Sequence, residues 1–390
     1  MTSAATPPRG SARRPRILFL QTQAENAGAQ EIARLVAAGL EARGHEVHQI
    51  FFYRRTGGFD EAPRTSFCCA TRPSGPIAVA RFFARLVSMI RAVEPDVVVT
   101  FQHYGNFFGV PAARLAGVRK VVANQNTAPE MINGVLRAVD RIAGSVGLYS
   151  ANVVNSTDTE RAFAGYPAAY RARMIHIDHG FECKVSRLGK AEARARFALP
   201  AGTQLVGTVG RLNPMKNMEA VLRVLPRLPG VHFALAGQGD DRPRLEGLVA
   251  DLGLGERVHF VGELGPEGVA DFLKSLDAFV FPTRAETFGL AGVEAAQAGV
   301  PVVANRLPVL QEVLAIGGEP CALFVDADDP DDLAAGLARV LGDADLAARL
   351  SAAGRRLEAK YSLGAMVDGY ARLIADLGAP ARAALAVPAE

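Results

Sequence analysis

Residues 277–294 read DAFVFPTRAETFGLAGVE. Ala278 to Phe281 form a short unbroken apolar run, Pro282 stops it, and after a polar loop the chain resumes as a helix. A strand with no polar alternation is covered on both faces, which is the situation of a parallel sheet between helices. The loop spans Thr283 to Thr287, and the helix starts near Phe288 or Gly289. Glu286 then hangs at the mouth of a cleft, Glu294 lies one to two turns inside the helix, and the Phe288, Gly289 and Leu290 amides are the unpaired donors of its positive end. Gly289 lets an anion approach that backbone. On one continuous helix the two carboxylates would stand about 80° apart and about 12 Å along the axis, too far to share a small group. Taken alone, the residues suit a surface glutamate before an ordinary helix equally well.

The same rhythm extends in both directions. QLVGTVGRL, VHFALAGQG, RVHFVGEL, VPVVANR and CALFV are strand-like runs separated by helical patterns from Gln204 onward. RILFL, HEVHQIFFY, DVVVTF, KVVANQ and ANVVNS alternate with helical stretches in the first half. Alternation of this kind builds βαβ units, so the expected fold class is α/β, with two doubly wound, Rossmann-like parallel sheets facing an interdomain cleft. The rhythm breaks near IHIDHGFECKVSRLGKAEARARFALP. The expected organisation is a disordered leader over 1–15, a first domain over 16–180, a linking region over 181–203, a second domain over 204–360, and a C-terminal helix and tail over 361–390 that packs on either domain. Ligands of such sheets bind beyond the carboxyl ends of the strands, so function is sought there.

A chain of 390 residues has room for two or three domains at about 150 residues each. Hydrophobic residues at 49%, charged residues at 21% and a formal charge of +3 describe an ordinary soluble protein, and no nucleic-acid partner is expected. The one basic run, Arg9, Arg13, Arg14 and Arg16, reads as a solvated tail. No segment reaches the roughly 18 apolar residues of a spanning helix. Cys68, Cys69, Cys183 and Cys321 form no C-x-x-C pair, which points to buried thiols in a reducing cytoplasm. The stretch PIAVARFFARLVSMIRAV mixes apolar residues with arginines, as a peripheral membrane contact would and as a helix packed on a sheet would.

A second constellation, Gly210 to Asn217 (GRLNPMKN), closes the strand QLVGTVG. Arg211 offers a planar fork suited to phosphate oxygens, and Lys216 a mobile point charge. Between this loop and the Gly289 helix start a phosphate-rich ligand would be neutralised without a metal. Two solvated cations in a loop are the plainer alternative.

GRLNPMKN, LAGQGDDRPRLE, VHFVGEL and DAFVFPTRAETFGLAGVEAAQAGVPVVA, in that order, resemble the signatures of the retaining nucleotide-sugar glycosyltransferases of family four, group 1 type, which have the GT-B fold. The resemblance spans residues 16–378, closely in the second half and loosely in the first. It implies that Arg211 and Lys216 hold the donor diphosphate with Gly210 beside them. It implies also that Glu286 touches the transferred sugar, that Glu294 touches the ribose, and that transfer of a UDP- or GDP-sugar to a hydroxyl acceptor needs no metal or other cofactor. Gly28, in NAGAQE, matches a glycine-rich turn near the diphosphate or acceptor, although Ala27 and Gln30 depart from the family pattern. His103 stands two residues beyond the place where relatives carry a histidine and is a candidate active-site hydrogen bonder; Phe101 occupies the nearer place. Asn124, Gln125 and Asn126 suggest a neutral polar acceptor wall, and His179 replaces the asparagine of the interdomain segment.

An epimerase, a phosphorylase or a non-catalytic sugar-nucleotide binder on the same architecture stays open at this stage. A dehydrogenase is disfavoured because no G-x-G-x-x-G follows the first strand. Three histidine or aspartate clusters carry no metal reading. HEVH (45–48) points neighbours to alternate faces, HIDH (176–179) is read with His176 and Asp178 on opposite faces, and in DADD (326–329) Asp328 or Asp329 caps the following helix.

Overall fold

In strand β1 (Arg16–Ala24) every residue after the first is buried. Ile17 and Phe19 enter one core, Leu18 and Leu20 another, because successive side chains leave opposite faces of a strand. A strand apolar on both faces needs helices on both, and the computed structural model, which describes residues 14–25, 28–182 and 185–378, supplies them. Around β1 lie β2 (Glu46–Arg54), β3 (Thr65–Cys69), β4 (Val97–Thr100), β5 (Val121–Asn124), β6 (Ala151–Val154) and β7 (Met174–His176). All pairings are parallel, in the order β3-β2-β1-β4-β5-β6-β7.

The second sheet repeats the pattern with β8 (Gln204–Val209), β9 (Val231–Ala236), β10 (Val258–Gly262), β11 (Ala278–Phe281), β12 (Val302–Asn305) and an edge strand, Leu323–Val325. Its order is β10-β9-β8-β11-β12-edge, again parallel. Each sheet reverses its winding once, at β1/β4 and at β8/β11. Those reversals open the crevices in which such sheets hold ligands.

The chain passes between the sheets twice, and the two passages touch. Phe181 N donates to Tyr361 O at 3.2 Å, and Phe181 and Ser362 form an isolated parallel bridge. A Cβ on Gly180 would stand 2.2 Å from Ser362 O, so glycine is what permits the approach. Beyond it the helix Leu363–Gly378 returns to the first sheet, where Met366, Val367, Tyr370 and Ile374 share a core with Ile17, Phe19 and Val36 of the opening segments. Gly39 gives way to it, since a Cβ there would meet Val367 Cγ2 at 2.5 Å.

The sequence left the destination of this helix open, and the contacts settle it. Helix Pro76–Val93 turns Phe82, Leu86 and Ile90 onto the first sheet, which is the packed alternative of its two readings. Asp329 caps the helix Pro330–Gly342 by accepting from Asp331 N at 2.9 Å. His176 and Asp178 do not point apart. Residues two apart on an extended chain share a face, and His176 Nε2 lies 2.9 Å from Asp178 Oδ1. Cys68 and Cys321 are buried and Cys69 is half-buried. Cys183 and most of the expected leader, residues 1–13, lie outside the described residues.

Substituting Gly180→Ala should lower the thermal midpoint by the equivalent of about 1–3 kcal/mol, the cost of overpacking against backbone. Hydrogen exchange should rise first in helix Leu363–Gly378. An unchanged midpoint would show that the double passage tolerates separation.

Candidate functional site

The loops that leave β8 and β9 are laced together before either carries a functional side chain. Gly210 N donates to Ala236 O at 3.0 Å, Leu212 N to Gln238 O at 2.9 Å, and Asp241 N to Leu212 O at 3.2 Å. Cβ atoms on Gly237 and Gly239 would fall 1.9 Å from Gly210 O and 2.0 Å from Leu212 O. The glycines of GQG are therefore a condition of the close approach, and they hold GRLN at the strand end. Asn213 then caps the turn Pro214–Lys216, accepting from Lys216 N at 3.1 Å.

The loop after β11 is fastened to this turn. Arg284 N donates to Met215 O at 2.9 Å, Thr283 Oγ1 to Met215 O at 3.3 Å, and Asn305 Nδ2 to Thr283 O at 2.8 Å. Gly289, with φ of 89°, caps the helix Leu290–Gln297. A Cβ on it would strike Leu310 Cδ2 at 2.6 Å as well as strain the left-handed backbone. The first amides of that helix have no partner within it.

These elements line one cleft of about 1360 Å³ between the sheets. Gly210, Arg211, Lys216, Glu286, Phe288, Gly289, Leu290, Glu294 and Gly28 all contribute to its wall. The nine candidates dispersed from position 28 to 294 are thereby brought together. Lys216 Nζ bonds Glu286 Oε1 and sits 5.5 Å from the Phe281 ring centre. Gly28 abuts the helix start, where a Cβ would meet Leu290 Cδ1 at 2.9 Å.

Three candidates fall elsewhere. Asn124 and Gln125 are each 1% exposed and belong to the interior of the first domain. Asn124 Nδ2 donates to Thr100 O at 3.0 Å and its Oδ1 accepts from Tyr370 OH at 2.5 Å. Gln125 Nε2 donates to Asp140 Oδ1 and lies 3.0 Å from Tyr170 OH. Of the expected polar wall only Asn126 reaches the cleft, together with Gln102. His103 is also off the lining, its Nδ1 3.4 Å from Thr127 Oγ1 and its ring 4.2 Å from that of Tyr104, and burial lowers its pKa.

Two residues were missed. Glu25, at the end of β1, bonds Arg211 from across the cleft, and Arg55, at the end of β2, stands 3.5 Å from its other oxygen. Gln23 Nε2 donates to Glu25 at 2.5 Å, and Arg55 reaches Asp240 of the second domain at 3.3 Å. Both lie where neighbouring parallel strands end together, Ala24 pairing with Arg54, so the strand-end rule was the available signal. Further hydrogen bonds join the two domains. Ser156 Oγ donates to Thr287 O at 2.9 Å, and Glu312 accepts from Thr157 N and Asp158 N at 2.7 and 2.8 Å.

His179 borders the same cleft, packed 5.0 Å from the Phe288 ring. Its Nε2 is 2.8 Å from Asn155 Nδ2, while Nδ1 has no partner. Burial pushes its pKa down to about 4 from 6.5, so the ring is neutral near neutral pH. Among the described residues no group of three or more His, Cys, Asp or Glu side chains is placed to hold a metal ion.

Comparison with known proteins follows this geometry. Residues 189–357 match the family model for glycosyl transferases group 1, and residues 27–183 the model for Glycosyltransferase Family 4. The chain belongs to the group 1 glycosyltransferases. The D-inositol 3-phosphate glycosyltransferase of Mycobacteroides abscessus is 32% identical to this chain over 290 residues, 70% of this chain and 63% of that one. The lipopolysaccharide core biosynthesis glycosyltransferase LpsE of Rhizobium meliloti is 32% identical over 183 residues, 47% and 53% of the two chains. The chain thus spans between half and two thirds of the length of these relatives. Its two domains follow the GT-B architecture of Anabaena Alr3699/HepE, crystallised with UDP and glucose, at a TM-score of 0.80 and 20% identity over 93% of this chain and all of that one. The sucrose-phosphate synthase of Thermosynechococcus elongatus gives 0.77 at 22% identity over 93% and 99%.

The buried imidazole carries a pH consequence. The unfolded ring takes up a proton near pH 6.5 and the folded one only near 4. The unfolded chain therefore binds the extra proton between those values, and stability present above 6.5 is lost as pH falls toward 4. In His179→Gln the drop in stability from pH 7 to pH 5 should shrink by about 2 kcal/mol. Equal drops in the two proteins would mean that the folded ring titrates normally.

Proposed function

We propose that the cleft binds a nucleoside-diphosphate sugar and transfers its sugar to a hydroxyl acceptor, by a retaining route that needs no metal. The observation carrying this reading is the convergence of Arg211, Lys216 and the Gly289 helix start on one cavity at the carboxyl ends of β8 and β11. Breaking a glycosyl phosphate bond leaves new negative charge on the diphosphate. Fixed cations and helix-end amides stabilise that charge more in the transition state than in the ground state.

Glu286, already beside Lys216, is positioned to accept from hydroxyls of the transferred sugar as the diphosphate takes over the lysine. Glu294, in the helix that Gly289 caps and on the cleft wall, is the acceptor for the ribose hydroxyls. Gly28 and Gly210 leave room for the diphosphate between the domains. Gln102 and Asn126 face the acceptor from the first domain, and His103 has no part in this assignment. Retention is carried over from the resemblance to family four, and assignment of the product anomer tests it. The Anabaena protein's UDP complex makes UDP the first nucleotide to try.

Lys216→Ala and Glu286→Ala should each reduce turnover by about 100- to 1000-fold, the effect of about 2.7–4 kcal/mol, with little change in thermal midpoint. Near-normal turnover in both variants would overturn the proposal. Among UDP, GDP and ADP one should raise the midpoint selectively, and no shift with any would remove the donor reading.

Transfer should continue at an undiminished rate after exhaustive treatment with EDTA. Loss of activity restored by a divalent cation would show that the protein cations do not suffice.

A further inference from the structure

The wall that the first domain turns toward the cleft carries two cations, and both are engaged by carboxylates. Among its described residues the charged side chains are Glu25, Glu31, Arg34 and Arg55. Arg34 is gripped by both oxygens of Glu31, at 2.7 and 2.6 Å, and Arg55 stands between Glu25 at 3.5 Å and Asp240 of the second domain at 3.3 Å. Two positive and two negative charges, with His179 held neutral by burial, leave this wall without net charge. A phosphate or carboxylate brought against it would lose water without gaining an opposite charge.

The wall offers something else at the ends of β4 and β5. Gln102 follows β4 with φ of 67°, in the left-handed region that a residue with a Cβ seldom occupies. A π-helical turn, Gly105–Gly109, comes next, and such turns gather at functional sites. Asn106 ties the two strand ends together: its Oδ1 accepts from Thr100 Oγ1 at 2.6 Å and its Nδ2 donates to Asn124 O at 3.0 Å. Unfavourable backbone geometry held this firmly is characteristic of places where a side chain must be aimed.

Gln102 Oε1 and Asn126 Nδ2 are the atoms in question. Both are buried without a hydrogen-bond partner, and both residues line the cleft. Buried polar atoms are nearly always paired, so two orphans on one wall point to a ligand. Asn126 also stands against the loop that carries Glu286, its carbonyl accepting from Thr287 Oγ1 at 3.4 Å. An amide oxygen only accepts and an amide nitrogen only donates. A hydroxyl satisfies either one, whereas a carboxylate or a phosphate dianion has no hydrogen to give Gln102.

We propose that the acceptor is an uncharged polyol, a sugar or cyclitol ring that presents adjacent free hydroxyls to Gln102 Oε1 and Asn126 Nδ2. This rests on the transfer reading of the cleft and narrows its acceptor to one chemical class. The two walls then divide the substrates by charge: Arg211 and Lys216 of the second domain meet the phosphates, and the first domain takes the neutral partner.

The test uses the full chain and the sugar conjugates of whichever nucleotide raises its thermal midpoint. Transfer should run about tenfold or more faster to glucose or to myo-inositol than to glucose 6-phosphate or myo-inositol 1-phosphate, and the faster of the first two tells sugar from cyclitol. Gln102→Leu and Asn126→Leu should each raise KM for that neutral ring by about tenfold, with kcat changed far less and the nucleotide's rise in midpoint retained. Equal or faster transfer to the phosphorylated rings, an unchanged KM in both leucine variants, or transfer to neither neutral ring by a chain that binds the nucleotide would overturn the proposal. A chain that binds no nucleotide would fail one step earlier, and the donor reading would fall together with this one.

Discussion

The contact between Gly180 and Ser362 is the constraint on which the arrangement of the two domains turns. A chain that leaves one sheet and later returns to it must cross the gap twice, and here both crossings run side by side, joined by a backbone hydrogen bond. Because Leu363–Gly378 is anchored in the first core, the second sheet is gripped at two points that are distant in the chain and side by side in space. Two adjacent strands define an axis more tightly than one.

On each wall the side chains are set by backbone that is itself fixed. GRLN is laced to the GQG turn, and the loop carrying Glu286 is tied to Met215 and Asn305. Catalytic groups gain from such support, since small errors of position forfeit most of the benefit of preorganised charge. The glycines supply it by absence: at 237 and 239 no side chain larger than hydrogen fits beneath the neighbouring carbonyls.

The parts of this design visible in the sequence are those encoded within a few residues. The apolar run before Pro282, the helix start at Gly289 and the cap at Asp329 are local events, and each stands where the sequence placed it. The misreadings share a different cause. Asn124 and Gln125 look like an exposed polar wall until Tyr370, Asp140 and Tyr170 bury and satisfy them, and Tyr370 is supplied by a helix 246 residues later in the chain. His103 follows a strand end, yet its neighbours Thr127 and Tyr104 hold it off the cleft. Glu25 and Arg211 are 186 residues apart, and their pairing has no meaning until the sheets face each other. Partners set by tertiary packing leave no trace in local pattern.

The pairing of Arg211 with Glu25 has a further consequence for how any anion enters. The guanidinium is already neutralised by a carboxylate that is 9% exposed and shared with Arg55. Under the proposed function, entry of a diphosphate would be an ion exchange: one anion would leave Arg211 as another arrived, and Glu25 has Arg55 beside it to receive the released carboxylate. The net charge brought together is smaller than two open cations would suggest, and ionic strength should bear correspondingly lightly on affinity. The same exchange couples occupancy to geometry, because the carboxylate released from the second domain remains attached to the first.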